Sequence, residues 1–138
     1  MTTFSVTGPH IYGYIDRIPR LNFTRTIYQY GSDFNISTGI FTCSIPGVYH
    51  FSATLVKKRA TTRVDQVFCN IMKNAQSLIS VKIDPTDDDT DKGNAAVSQS
   101  IVIDLDIGDK VYLGFCNDPK KNMDNWSSFT GFLLYLKS

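Results

Sequence analysis

Alternation of apolar and polar side chains on both sides of a Pro-Gly turn is the feature that most constrains this chain. It occupies the stretch GIFTCSIPGVYHFSATLVKK, residues 39–58. The apolar members of the two alternating runs are Phe41, Cys43 and Ile45, then Tyr49, Phe51, Ala53 and Leu55. Successive side chains of a strand point to opposite faces, and Pro-Gly reverses the chain. The stretch therefore predicts two β-strands joined by a turn.

Composition extends this prediction to the whole chain. All 13 acidic residues are Asp, so the strong helix former Glu is missing, whereas branched and aromatic residues are frequent. A chain of 138 residues is long enough to fold around one core. We therefore expect a single all-β domain over residues 1–138.

Further strands follow the turn, and their connections differ in length. The predicted strands are Val48 to Lys57, Val64 to Lys73, Ser77 to Ile83, Ser98 to Leu105, Lys110 to Cys116 and a closing strand within 126–138. If neighbours run antiparallel, the short turns at 46–47, 74–76 and 106–109 share one end of the domain. The long loops 58–63, 84–97 and 117–125 then share the other, called here the long-loop end. Binding surfaces often lie on loops held by a rigid scaffold, so this end is the candidate functional face.

The closing strand carries the continuous apolar run Phe132 to Leu136. Such a run predicts burial on both faces, whereas the outer face of a two-layer sandwich meets water. We interpret it as the contact surface of a closed ring of identical chains, in preference to a merely apolar edge strand.

Four stretches together resemble the globular head domain of complement C1q. They are TGIFTCSIPGVYHFSATLVK from Thr38, CNIMKN with SLIS between Cys69 and Ser80, SQSIVIDLDIGDKVYLGF from Ser98, and WSSFTGFLLYL from Trp126. The Gly-Asp of IGDKV and the closing SSFTGFLLY are especially characteristic. The resemblance covers nearly all of the chain from Thr38 onward.

The resemblance implies a ten-stranded jelly-roll β-sandwich of the C1q/TNF-like type that assembles as a homotrimer. It places Phe41, Tyr49 and Phe51 in the interior of the sandwich. It also implies a secreted, non-catalytic module with multivalent, lectin-like binding of microbial or glycan ligands in innate immunity. The alternative is a signalling ligand for a cell-surface receptor, as in cerebellin-like relatives. No Gly-X-Y repeat is present, so we expect no collagen stalk.

Net charge and hydropathy limit the partners. A formal net charge of +1 supplies no field that favours nucleic acid, and no apolar run is long enough to span a bilayer. We expect neither nucleic acid binding nor membrane insertion. The N-terminus has no apolar signal-peptide core, which fits either a protein that stays in the cell or a secreted one whose leader has been removed. Sequons at Asn22, Asn35 and Asn125 suit secretion but are close in number to chance.

Cysteine and histidine give no sign of catalysis. His10 and His50 are the only histidines, and no spacing pairs either with a nucleophile. The cysteines lack a C-x-x-C pair, so zinc is not expected. In strict alternation Cys69 faces inward with Val67 and Ile71, whereas Cys116 faces away from Val111 and Leu113. We therefore prefer buried free thiols to a disulfide.

Two basic clusters at the long-loop end are candidate ligand contacts. Their members are Lys57, Lys58, Arg59 and Arg63 in one cluster, and Lys120 with Lys121 in the other. Charge-assisted hydrogen bonds from these groups suit sulfated, sialylated or phosphorylated glycans, or the phosphates of lipopolysaccharide. The alternative is a solvated loop that balances nearby aspartates. Trp126 and Tyr112 are possible sugar platforms, although we expect Trp126 to pack.

An acidic loop is the candidate metal site. Asp84, Asp87, Asp88, Asp89 and Asp91 are crowded in DPTDDDTDK, and calcium accepts many carboxylate oxygens in flexible geometry. In relatives that bind calcium, acidic residues of this loop lie near the trimer apex. The resemblance therefore assigns calcium to Asp87 and Asp88 with help from Asp91. The alternative is a solvated loop paired with Lys92 and the basic loop.

Overall fold

The computed structural model describes residues 2–10, 17–59, 66–84, 94–118 and 122–137, and every regular element in these ranges is a β-strand. The strands are β1 (Thr3–Pro9), β2 (Arg17–Arg20), β3 (Phe23–Tyr30), β4 (Phe34–Asn35), β5 (Ile40–Thr42), β6 (Gly47–Lys57), β7 (Val67–Lys73), β8 (Gln76–Ile83), β9 (Ala95–Leu105), β10 (Lys110–Asn117) and β11 (Ser128–Leu136).

Two antiparallel sheets face each other. One has five strands in the order β3-β1-β11-β6-β9; the other has the order β4-β5-β10-β7-β8, with β2 also paired to β10. The all-β jelly-roll prediction is confirmed. The described residues contain eleven strands rather than ten, and two of the eleven are short: β2 has four residues and β4 has two. No helix in these ranges is long and apolar enough to cross a membrane.

The core lies between the sheets and is rich in aromatic rings. Strand β6 alternates strictly between buried and half-buried residues, as its sequence predicts. Phe41, Tyr49 and Phe51 are at most 1% exposed, and their rings pack at centroid distances of 5.3 to 6.1 Å. The predicted interior positions of these three residues are confirmed. Gly131 completes this packing, since a Cβ there would lie 2.6 Å from the rings of Phe4 and Phe51.

The connections sort by length as predicted. At one end, the amide of Asn74 donates to the carbonyl oxygen of Lys110 at 2.7 Å, and that of Gly108 donates to Cys43 at 2.8 Å. At the other, the amide of Lys58 donates to Asn122 at 2.7 Å. Short turns therefore meet at one end, and segments flanking two long loops meet at the opposite end.

The cysteine prediction is wrong for two of the three thiols. Cys69 and Cys116 form a disulfide, and Cys43 is a buried free thiol. A register irregularity between Gly114 and Asn117 breaks the alternation of β10. Phe115 adopts a positive φ of 48° and becomes 60% exposed, so that Cys116 turns inward to meet Cys69 on β7. A bulge of this kind re-aims a side chain that strict alternation places on the wrong face.

Candidate functional site

The basic clusters are only partly described. Lys58 and Arg59 are exposed at the long-loop end, as predicted, whereas Arg63, Lys120 and Lys121 lie outside the described residues. Lys57 differs from the expectation because it is 3% exposed. Its side chain lies on the inward side of β6, as does that of Leu55. Its backbone forms an isolated antiparallel β-bridge with Met123. An accessible cationic contact in this part of the chain therefore rests on Lys58 and Arg59.

The predicted calcium ligands Asp87, Asp88 and Asp91 also lie outside the described residues. Strand β8 ends at Ile83 and β9 begins at Ala95, so these aspartates belong to the connection between the two strands. Within the described ranges, no group of three or more His, Cys, Asp and Glu residues is placed to hold a metal ion. Calcium binding stays a prediction.

Cys43 does not have the environment of a nucleophile. Burial raises the pKa of its thiol, which lies 3.2 Å from the carbonyl oxygen of Ile45 and 3.9 Å from the Tyr49 hydroxyl. Burial also raises the pKa of Tyr49, whose hydroxyl donates to Ile45 at 2.7 Å. At neutral pH both groups stay protonated, and the thiolate that nucleophilic catalysis requires is disfavoured.

The expectation that Trp126 packs inside the domain is wrong. Its side chain is 68% exposed, and the guanidinium carbon of Arg25 lies over the indole, 5.6 Å from the ring centroid. Tyr112 does not join this site, because its hydroxyl donates to Asn74 at 2.8 Å at the short-turn end. The structure therefore pairs Trp126 with Arg25, which sequence reasoning did not select.

A tight turn holds Trp126 outward. The amide of Trp126 donates to Oδ1 of Asp124 at 2.9 Å, and the amide of Ser127 donates to the carbonyl oxygen of Asp124 at 3.0 Å. Ser127 is fully buried, and its Oγ accepts the amide of Val56 at 2.9 Å. Because Ser127 is anchored in the interior, the preceding side chain points to solvent. The sequence Asp-Asn-Trp-Ser was the available signal for this turn.

A cleft of about 300 Å³ lies beside the indole and is called here the Trp126 cleft. Its lining residues are Thr7, Gly8, Thr24, Arg25, Asn125 and Trp126. Gly8 has a φ of +69°, and a Cβ there would come within 2.5 Å of Thr24 Oγ1. Because glycine has no Cβ, Thr24 can lie close to the backbone at this position. The Thr24 hydroxyl donates to the carbonyl oxygen of Gly8 at 2.7 Å.

The outward surface of the five-stranded sheet, called here the outer face, is a second candidate surface. One row across all five strands contains Tyr30, Thr3, Phe132, His50 and Val102 as successive partners. Tyr30 is 59% and Val102 56% exposed. Nδ1 of His50 is buried without a hydrogen-bond partner in the described structure, beside Phe132 at a ring distance of 5.0 Å.

The next row of the outer face carries hydroxyl groups. It contains Tyr28, Ser5, Thr130, Ser52 and Ser100 in register. Neither row holds an ionisable acidic residue, Lys or Arg. Water-exposed sheet faces usually carry charged side chains, so a surface of aromatic, aliphatic and hydroxyl groups is typical of an interface.

Comparison with known proteins agrees with this geometry. The family model for the C1q domain matches residues 4–134. Complement C1q and tumor necrosis factor-related protein 9 of Mus musculus is 28% identical over 86% of this chain, and Protein HP-25 homolog 1 of Bos taurus is 28% identical over 81%. The matched regions span 34% and 49% of those two proteins, respectively.

Solved structures give the same fold. The globular domain of the zebrafish complement 1qA protein superposes with a TM-score of 0.75 at 24% identity, covering 99% of this chain and all of that one. Murine APRIL at pH 5.0 superposes with a TM-score of 0.71 at 10% identity, covering 96% and 98%.

The jelly-roll fold and these matches define a globular head domain. The chain belongs to the C1q domain family. Domains of this family are generally non-enzymatic recognition or ligand modules, and they typically form trimers.

Proposed function

We propose that this chain is a secreted, non-catalytic module of innate immunity that binds glycans on microbial surfaces as a homotrimer. The observation that carries the proposal is the set of exposed cationic and aromatic side chains at the long-loop end. These are Lys58, Arg59, Arg25 and Trp126. Cationic groups suit anionic glycan substituents, and an exposed aromatic ring suits a sugar face.

The outer face supports the trimer. Its aromatic and aliphatic row includes Tyr30, Phe132 and Val102, and Tyr135 of the closing strand is 62% exposed beside it. A closed ring buries such a surface on each copy without leaving an open end. Three copies then present their long-loop ends together, so that weak sites act with avidity.

Secretion is supported by the disulfide. The Cys69–Cys116 pair is at most 2% exposed, and structural disulfides form and persist mainly in oxidising compartments. Two sequon asparagines, Asn35 and Asn125, are exposed and accessible to glycosylation.

A glycan and lipopolysaccharide binding screen tests the proposal. We expect the wild-type chain to bind anionic glycans. The double variant Lys58→Ser with Arg59→Ser should bind phosphate- or sulfate-bearing ligands with about tenfold lower affinity, because charge-assisted hydrogen bonds are lost. Lys82→Ser with Lys110→Ser is the matched control, because both residues are exposed and lie on the other sheet. An equal loss of glycan affinity in the two double variants would indicate that only the net charge of the protein matters.

The screen also separates the two classes of function. Absence of binding to every glycan and to bacterial cells, above a control trimer, would contradict glycan recognition. Saturable binding to one membrane protein, unchanged by competing sugars, would instead support the signalling-ligand alternative.

Calcium binding by Asp87, Asp88 and Asp91 extends the proposal. If the trimer presents these carboxylates together, calcium stabilises the assembled state by mass action, by about 2.7 kcal/mol at a hundredfold excess over Kd. The melting temperature should rise with calcium and not with magnesium. Asp87→Ala with Asp88→Ala should abolish the rise, and an unchanged wild-type melting curve in millimolar calcium would contradict the site.

A further inference from the structure

We propose that the Trp126 cleft binds a pyranose ring that carries a carboxylate, the chemistry shared by uronic acids and sialic acids. This inference rests on the proposed function, because it assigns glycan recognition a contact site and a sugar class. It differs from the basic pair Lys58 and Arg59, since it depends on a ring platform and one guanidinium.

Trp126 supplies the platform. Its indole is 68% exposed, whereas the large aromatic side chains Phe4, Phe51 and Phe129 are at most 1% exposed. The face of an aromatic ring has negative electrostatic potential, which attracts the C–H groups on one face of a pyranose. Stacking of a sugar would remove the remaining indole surface from water, which is favourable in proportion to the apolar area covered.

Arg25 supplies the charge selectivity. No carboxylate of the described residues forms an ion pair with it, and its guanidinium lies over the indole. A guanidinium presents a planar fork of N–H donors that matches a carboxylate in two parallel hydrogen bonds. A carboxylate on a ring stacked against Trp126 would therefore meet guanidinium donors that form no ion pair with another described residue.

The remaining walls suit sugar hydroxyls. Thr24 Oγ1 donates its proton to Gly8, which leaves the oxygen as an acceptor. Asn125 is exposed, lines the cleft and carries both an amide donor and a carbonyl acceptor. A cleft of about 300 Å³ lies at the lower end of the usual range for small-molecule sites. One saccharide unit is therefore the expected occupant.

The backbone around the cleft is preorganised. The amide of Gly8 donates to the carbonyl oxygen of Asn125 at 2.9 Å, and Thr7 Oγ1 lies 3.0 Å from the same oxygen. Thr7 Oγ1 is also 2.9 Å from the carbonyl oxygen of Ser127. These contacts fix the Trp126 turn to β1. Binding therefore requires little ordering of the protein, which preserves affinity.

The sole tryptophan of the chain makes the test specific, because intrinsic tryptophan emission reports this cleft alone. The protein is made in a bacterial periplasm, where disulfides form, and without an N-linked glycan at Asn125. It is titrated with methyl glucuronide and with methyl glucoside, which differ only in the carboxylate. Sialyllactose and its derivative with the carboxylate reduced to an alcohol form a second pair, which distinguishes sialic acids from uronic acids.

We expect a saturable change in emission with an acidic sugar, and binding of its neutral partner about tenfold weaker, as loss of one bidentate charged contact predicts. Arg25→Gln should remove this preference, so that the acidic sugar binds no more tightly than its neutral partner. Arg20→Gln, an exposed arginine on the other sheet, should keep it. Binding of Trp126→Ala and Trp126→Phe is measured by ligand-observed NMR, and Phe should retain more affinity than Ala.

The result separates this inference from the proposed function. If wild-type protein binds glycans in the screen, but its emission is unmoved and Trp126→Ala binds equally well, the cleft assignment is overturned and glycan recognition stands. Protection of Trp126 from acrylamide quenching in the ligand-free assembly would also overturn the assignment, since a partner chain would then cover the indole. If neither the screen nor the emission detects a sugar, both proposals are overturned.

Discussion

Replacing both Cys69 and Cys116 with Ala is expected to lower the free energy of unfolding by about 4 kcal/mol, because the unfolded chain gains the entropy of an open loop. The two residues are 47 positions apart, so the disulfide closes a long loop. They are also buried between neighbouring strands, and their loss leaves small voids in the core. Urea denaturation at fixed protein concentration measures the difference.

Cys43→Ala is the matched control for the disulfide. It removes a buried sulfur from the core without opening a covalent loop, and its expected cost is that of a small cavity, about 1 kcal/mol. Equal unfolding free energies for wild type and for Cys69→Ala with Cys116→Ala would contradict a stabilising disulfide.

Phe132→Asp is expected to convert the proposed trimer to a folded monomer. Phe132 is half-buried on the outer face, between Thr3 and His50 in register. A carboxylate buried there in three copies would meet no Lys or Arg in the described row and would be desolvated at a cost of several kcal/mol each. Light scattering measures the mass, and circular dichroism checks that the sheet is retained.

Phe115→Asp is the matched control for Phe132→Asp, because Phe115 is an exposed phenylalanine on the other sheet. It should leave the trimer intact. A wild-type monomer at micromolar concentration, or monomer formation by both variants, would contradict the assignment of the outer face as the interface.

Strand alternation predicted most of the fold. The strands around Phe51 and the positions of the short and long connections could be predicted from two rules alone: the two-residue period of a strand and antiparallel pairing of neighbours. The same rule failed at Cys116, because a bulge adds a residue to one strand and its presence depends on the partner strand. A local pattern does not contain that information.

The candidate site was less predictable than the fold. Lys57 is buried because the alternation of buried and half-buried residues in β6 continues to this last residue of the strand. Its charge led to the prediction of an exposed side chain. Trp126 is exposed because Ser127 takes the buried position next to it. Its partner Arg25 comes from β3, which β1 separates from β11, so only the folded sheet brings the two side chains together.

Binding to surfaces coated with an acidic glycan at increasing density measures multivalent recognition directly. We expect the apparent affinity of the wild-type protein to rise steeply, by about a hundredfold or more, once neighbouring glycans can fill two sites, whereas Phe132→Asp should bind weakly at every density. Wild-type binding that does not depend on glycan density, or that equals binding of Phe132→Asp throughout, would contradict multivalent recognition.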